Sequence, residues 1–236
     1  MGSNNEPLQN RYVVLTGDLK SSRKFEDRAR VQETLKNALM VINKELEKAI
    51  IAKFMIVGGD GFQGMLNAPK CIFDIYYALF ENINYPFYLG IGIGGISTNL
   101  SENVGEIDGE AFHKAYEALE MAKKENVWVA FKSEWEIDEI ATYLLNFIAD
   151  VMWNWTKRQR EIVMCYKKVK DEKSDATLEE IAEKIGIKKQ TISKILKRSR
   201  YKLVKKAGKS FAEFVSRNWL TIANNPKMAD KTGGAK

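Results

Sequence analysis

Residues 177–200 read TLEEIAEKIGIKKQTISKILKRSR, and they set the architecture of the carboxy-terminal half. Thr177 stands where a helix needs an N-cap, and Glu180 three residues on completes a capping box. Ile181 and Ile185 share one face of the first helix. Ala182 is small where two helices must cross closely. Gly186 sits at the turn, where a positive φ swings the chain into the next helix. Ile187 plugs that turn, and Ile192 and Ile195 bury the second helix against the first. The remaining second-helix positions are Lys188, Lys189, Gln190, Thr191, Ser193, Lys194, Lys197 and Arg198, all polar and none acidic. An apolar edge that locks a helix to its scaffold, with donors on the outer face, is the make-up of a recognition helix for double-stranded DNA. Gln190 and Thr191 near its start are candidate base readers, with Lys194 next. Lys188, Lys189, Lys197, Arg198, Arg200 and Lys202 are candidate phosphate contacts, and Thr177 and Ser193 complete the set.

Charge supports this division of labour. Residues 150–206 hold 17 Lys+Arg against 8 Asp+Glu, a balance of +9, so the net +6 leaves the rest of the chain at −3. A mildly acidic body with a concentrated basic module suggests two domains, one of which meets a polyanion. A solvated lysine-rich helical surface gives the same count. No apolar run reaches 18 residues, and MGSNNEPLQN lacks an apolar core. The expectation is therefore a cytoplasmic protein with no membrane partner. Cys71 and Cys165 lie in apolar, helix-like contexts and read as buried free thiols. A single histidine excludes a His-rich metal site.

Upstream, Tyr12 to Leu15 is a short strand running into a loop at Thr16-Gly17-Asp18. Arg28 to Glu47 has helical spacing through Val31, Leu35, Leu39, Ile42 and Leu46. Ala52 to Val57 and Phe62 to Leu66 flank the turn Gly58-Gly59-Asp60-Gly61 as a hairpin. Pro69 opens a helix through Glu81. Phe87 to Ile96, FYLGIGIGGI, is a strand whose alternate glycines leave one face bare, which lets a helix or a ligand approach closely. Gly109 to Lys124 is a helix and Val127 to Phe131 the last strand. The order is βαββαβ, ferredoxin-like, with one extra helix. Glu139 to Trp155 is a long apolar helix.

The fold expected is α+β, a ferredoxin-like βαββαβ domain followed by an all-α helix-turn-helix domain. The parts are 10–135 for the α+β domain, 138–155 for a linker helix, 156–206 for the DNA-binding domain, 207–224 for a carboxy-terminal helix and 225–236 for a disordered tail.

The segment WTKRQREIV (155–163) followed by TLEEIAEKIGIKKQTISKILKRSRYKL resembles region 4 of bacterial sigma factors and LuxR-type domains. GDLKSSRKFEDR, GGDGFQGML, GIGIGGIST and DGEAFHKAYEALEMAK, in this order, resemble the SatD family across nearly the whole chain. The same blocks are more distantly similar to class III and GGDEF-type nucleotidyl cyclases. That resemblance implies two metal-binding aspartates, matched by Asp18 and Asp60, with Mg²⁺ beside a nucleotide. Lys20, Ser21, Ser22 and Arg23 are candidate nucleotide contacts in the loop that follows. It also implies an asparagine and an arginine on the later helix, where this chain has His113 and Glu117. An anion in place of a cation beside a polyphosphate removes transition-state stabilisation. The expectation is therefore a homodimeric, DNA-binding transcriptional regulator whose first domain dimerises and could bind a nucleotide. The alternative is a metal-dependent nucleotide-processing enzyme with a DNA-tethering tail. A sequence-nonspecific DNA binder is a third reading.

Overall fold

The computed structural model describes residues 11–21, 27–133 and 135–223, with side chains through 219. The chain forms two compact units, one from residues 1–146 with 211–236 and the other from 147–210.

The first unit is built on a five-stranded sheet in the order β2-β3-β1-β4-β5. Strand β1 (Tyr12–Leu19) lies at its centre, antiparallel to β3 (Gly61–Leu66) and to β4 (Phe87–Gly94). Strand β2 (Ile50–Val57) pairs antiparallel with β3, and β5 (Val129–Lys132) runs parallel to β4. Strands β1 to β4 make the pairing that the βαββαβ order requires, with β3 between the parallel strands β1 and β2, and β5 adds a fifth strand beyond β4. Strand β1 continues to Leu19, four residues past its expected end at Leu15. Thr16, Gly17 and Asp18 have strand partners on both sides, so the Thr-Gly-Asp signal for a loop is overridden by the ladder. Val13, Val14 and Leu15 are all fully buried, because both faces of the central strand are covered.

Helix α1 (Arg28–Glu45), N-capped by Asp27, buries Val31, Leu35, Ala38, Leu39 and Ile42. Helix α2 (Ile72–Ile83) follows a single 3₁₀ turn at Pro69–Cys71. Helix α3 (Glu110–Glu125) lies on the sheet directly over the bare glycines of β4. A Cβ on Gly90 would stand 2.1 Å from the Ala115 carbonyl oxygen, and one on Gly92 would stand 2.2 Å from the Ala111 carbonyl oxygen and the Ala115 nitrogen. The glycines exist so that a helix backbone can rest on a strand backbone.

Both sheet edges are tied off by asparagine amides. Where β2 slips register between Ala52 and Met55, the Phe54 N–H donates to Asn43 Oδ1 (2.8 Å) and Asn43 Nδ2 donates to the Phe54 carbonyl (2.9 Å). At the other edge, helix α4 (Asp138–Trp153) places Thr142 and Asn146 against β5. Asn146 Oδ1 accepts from the N–H groups of Trp128 (2.8 Å) and Val129 (3.1 Å), and its Nδ2 donates to the Val129 carbonyl (2.6 Å). Thr142 Oγ1 accepts from the Phe131 N–H at 2.9 Å. An edge strand otherwise presents unpaired backbone groups to any passing strand.

The expected linker helix, 138–155, is the element in which the two units divide. The first half of α4 is part of the sheet's own unit, and the division falls inside the helix, after Asn146. The last helix differs from the expectation. Helix α8 runs Tyr201–Ala223 without a break at 206, and the division falls within it, after Ser210. From Phe211 onward it belongs with the sheet, where Trp219 meets Trp135 edge to face at 5.7 Å. The proposed tail, 225–236, lies outside the described residues. Cys71 is half-buried and Cys165 exposed. The Cys165 correction follows from helical phase. Its neighbours Ile162, Val163 and Val169 take the buried stripe of their helix.

The second unit is helical throughout. Helix α5 (Lys157–Glu172) is opened by a Thr156–Gln159 capping box, and α6 (Leu178–Ile185) by the expected Thr177–Glu180 box. Helix α7 (Lys189–Arg198) follows after three residues. Its core gathers Ile162, Val163, Ile181, Ala182, Ile192, Leu196, Tyr201 and Val204. Leu196 takes the buried place expected of Ile195, which is only half-buried. Trp155 Nε1 donates to the Ser199 carbonyl at 2.7 Å, and Tyr166 meets Tyr201 edge to face.

Three substitutions test this construction. Gly92→Val is expected to cost about 3 kcal/mol or more in urea unfolding, because neither clashing backbone can move aside. Gly105→Ala, where the nearest atom is 3.4 Å away, should change stability by less than about 0.5 kcal/mol. Asn146→Leu strands two N–H groups and a carbonyl and should cost about 2–3 kcal/mol. A loss below about 1 kcal/mol would show that water replaces the amide.

Candidate functional site

Two surfaces carry candidate chemistry, one in each unit. In the helical unit, Gly186 ends α6 in the left-handed region (φ 74°), and its N–H and that of Ile187 satisfy the last α6 carbonyls. The chain is thereby turned into α7. Lys188, Lys189, Gln190, Thr191, Ser193, Lys194, Lys197, Arg198 and Arg200 are all exposed. Thr177 is exposed too, but its hydroxyl accepts from the Glu180 N–H and serves the cap. Ile192 and Leu196 fasten the opposite edge of α7.

The electrostatics of this unit are segregated. The acidic residues around α6 are paired away from α7. Glu180 is held by Lys173 (2.6 Å) and Glu172 by Lys184 (2.5 Å). The hydrogen bond from its lysine holds each carboxylate below the usual range. Lys189 is the exception, its ammonium bonded to Glu179. Among the described residues, Lys188, Lys194, Lys197, Arg198 and Arg200 meet no carboxylate. Sequence alone could not separate Lys189 from its neighbours, because the pairing joins residues ten apart on two different helices.

In the sheet unit, Asp18 lies opposite Gly61 on one side and Tyr88 on the other. The Leu19 N–H donates to the Asp60 carbonyl at 3.4 Å, so the strand end and the hairpin tip do adjoin. The Asp18 carboxylate, however, carries the Lys123 ammonium of α3 at 2.7 Å. Loss of water works against that ammonium, but its hydrogen bonds to Asp18 and Glu120 outweigh this and hold it above the ordinary lysine range. A divalent cation at Asp18 would have to displace it. Among the described residues no three His, Cys, Asp or Glu side chains gather as a metal site. As it stands, the donor set does not fit Mg²⁺.

Lys20 turns onto aromatic rings, with Nζ 4.0 Å from the Tyr88 centroid and 3.8 Å from that of Trp128. Burial pushes its ammonium down to about 8, while the ring faces attract the charged form. Ser21 adopts φ 58° just beyond, and Ser22 and Arg23 lie outside the described residues. Lys123, Tyr88 and Trp128 were not legible as partners of this strand end, since only the seating of α3 and the β4 register bring them there.

His113 and Glu117 line an open cleft of about 420 Å³ with Gln63, Asp108, Phe112 and Tyr116. His113 Nε2 stands 3.5 Å from Asp108 Oδ1. Glu117 is bonded to Lys132 of β5, which holds its carboxyl low. The cleft thus presents a carboxylate and an imidazole where the cyclase resemblance implies cationic and amide groups.

The sequence profile of the SatD family matches residues 12–215. The chain belongs to the SatD family. Among curated proteins none matches significantly. Three solved structures are similar to this SatD family protein at low identity. A guanylyl cyclase, Cya2, is 15% identical over 47% of this chain and 70% of its own, with a TM-score of 0.35. A bacterial light-regulated adenylyl cyclase is 13% identical over 52% and 75%, with a TM-score of 0.37. A regulator of polyketide synthase expression from Bifidobacterium adolescentis is 14% identical over 94% and 82%, with a TM-score of 0.25. Among the described residues no helix is long and apolar enough to cross a membrane.

The Lys20 environment gives a pH test. A lysine whose folded pKa is depressed binds fewer protons folded than unfolded between about pH 8 and the ordinary value of 10.5. Stability should therefore rise across that window and be flat below it. The difference in urea midpoint between the native chain and Lys20→Met, followed from pH 7 to 10.5, should show that rise. A flat difference would mean that the rings hold the ammonium charged.

Proposed function

We propose that this SatD family chain is a DNA-binding transcriptional regulator, acting in the cytoplasm as a homodimer on a two-fold operator. The observation that carries the reading is the outer face of α7. Six Lys and Arg from Lys188 to Arg200, with Gln190, Thr191 and Ser193, stand exposed on a helix whose other edge is fastened by Ile192 and Leu196. Helices α6 and α7, joined through left-handed Gly186, then act as a helix-turn-helix. The start of α7 enters the major groove, where Gln190 and Thr191 reach base edges and Lys194, Lys197 and Arg198 take phosphates. Lys189 leaves Glu179 to join them at little cost, because an exposed ion pair is weak.

The sheet unit supplies the two-fold contact and a ligand cleft in this scheme. Exposed Met55 and Tyr116 (41% and 60%) support a contact role, and the cleft beside His113 supports small-ligand sensing. A ligand that binds the DNA-competent and incompetent states unequally would switch the protein. Two-fold binding places half-sites about one helical turn, roughly 34 Å, apart or a multiple of it. The alternative, metal-dependent nucleotide chemistry, has less support, because Lys123 occupies Asp18. Incubation with ATP or GTP and Mg²⁺ or Mn²⁺ tests it, and turnover abolished by Asp18→Ala would establish it.

Selection of bound duplexes from a random pool, followed by footprinting, tests the main reading. One enriched palindrome with two protected half-sites is the expected result. Equal recovery of all sequences would leave only nonspecific binding, and no recovery would remove DNA from the function. Gln190→Ala should lose about 1–3 kcal/mol of discrimination at one base position. Lys197→Ala should weaken all duplexes alike and lower the salt slope by about one.

A further inference from the structure

The basic surface does not stop at the end of α7. From Lys188 to Ser210 the chain has ten Lys and Arg and no Asp or Glu. Half of these lie beyond Ser199, four of them on the first three turns of α8. At 3.6 residues per turn, Lys202, Lys205, Lys206 and Lys209 fall within an arc of about 100°. Tyr201, Val204 and Gly208 occupy the opposite side and are buried. The four lysines are exposed, and among the described residues Lys202, Lys205 and Lys206 meet no carboxylate. Three neighbouring lysines, Lys202, Lys205 and Lys206, kept clear of acids on a helix whose other side is packed are not what solvation alone demands. Exposed helices ordinarily intersperse both signs and gain from pairs of opposite charge one turn apart.

Its position is fixed relative to α7. Arg200 takes the left-handed conformation (φ 56°) between the helices. Its carbonyl accepts the N–H groups of Leu203 and Val204, and the preceding Ser199 carbonyl is held by Trp155. Tyr201 is anchored on Tyr166 of α5. The stripe is therefore a rigid continuation of the α7 surface within one unit. From Lys202 to Lys209 it runs about 10 Å along the helix axis. One strand of duplex DNA presents a phosphate about every 3.4 Å of its axis, so the stripe spans about three.

We propose that the Lys202, Lys205, Lys206 and Lys209 face of α8 is a second DNA contact, a phosphate clamp that follows the backbone beyond the groove read by α7. It rests on the DNA-binding reading above and extends it. The clamp adds affinity and no sequence preference, since lysine ammonium groups on phosphates read no bases.

Fluorescence anisotropy with a 30-base-pair duplex, run on the full chain over a series of salt concentrations, tests it. The variants are the triple K202A/K205A/K206A and its charge-preserving counterpart K202R/K205R/K206R, each checked for native circular dichroism and melting temperature. The alanine triple is expected to lower the slope of log K against log salt by about 2.7, from about 0.9 per lost phosphate contact. The arginine triple should keep the slope, and both should rank a panel of duplexes as the native chain does. An unchanged slope in the alanine triple, with duplex binding intact, would overturn the clamp and leave the α7 reading standing. A change confined to single-stranded RNA would overturn the assignment to DNA. No duplex binding by the native chain at any salt would overturn both. A changed ranking of duplexes would show that the stripe reads sequence and is not a clamp.

Discussion

The backbone of α3 rests on the backbone of β4 with no side chain between them at Gly90 and Gly92, and the chemistry of the sheet unit depends on that contact. With side chains of ordinary size on β4 at these positions, α3 would stand farther off and its side chains would miss the strand ends. With the helix pressed onto the glycines, Lys123 reaches Asp18, Glu117 reaches Lys132, and His113 and Tyr116 form a wall of the cleft. The alanines of α3 serve the same end. Ala111, Ala115, Ala118 and Ala122 are all fully buried, because no larger residue fits between the two backbones.

That contact also changes what the strand end can do. Two aspartates near a strand end and a hairpin tip suggest a cation between them. With α3 seated on the glycines, a lysine ammonium already neutralises Asp18, and Lys20 lies against Tyr88 and Trp128 instead of projecting toward a phosphate. At this strand end the Asp18 and Lys123 charges compensate each other. The helical unit shows the opposite design. Glu172, Glu179 and Glu180 are matched to Lys184, Lys189 and Lys173, and among the described residues Lys188, Lys194, Lys197, Arg198 and Arg200, with Lys202, Lys205 and Lys206 of α8, meet no carboxylate. On the proposed DNA reading, such cations meet a polyanion at little desolvation cost, and the counterions they release would supply binding free energy.

At each sheet edge an asparagine amide stands in for a strand, joined by Thr142 at β5 and by the Lys53–Asn103 bridge at β2. Asn43 and Asn146 each offer an acceptor and a donor in the spacing of a missing strand. An extended peptide cannot add to β5 at Val129 while Asn146 occupies its N–H and carbonyl. This removes strand addition as a mode of association and leaves side-chain faces as the surfaces open to partners.

Local rules of the chain were enough to settle several features by sequence alone. The alternation of strands and helices, the capping box at Thr177, the turn at Gly186 and the polar outer face of α7 follow from periodicity, capping and steric demands that act within a few residues. The bare face of β4 was equally plain, and it announced close approach without naming what approaches. Only the tertiary structure decided the rest, because those features join residues distant in sequence. The ladder carried β1 past its Thr-Gly-Asp signal. The seating of α3 put Lys123 on Asp18, and the β4 register put Tyr88 beside Lys20. Glu179 took Lys189 from across the turn. Leu196 displaced Ile195 from the core by a rotation of α7 too small for a hydrophobic pattern to specify. The continuation of helix through Tyr201, which turns scattered lysines into a stripe, depended on Arg200 adopting a left-handed conformation that no local residue preference demands.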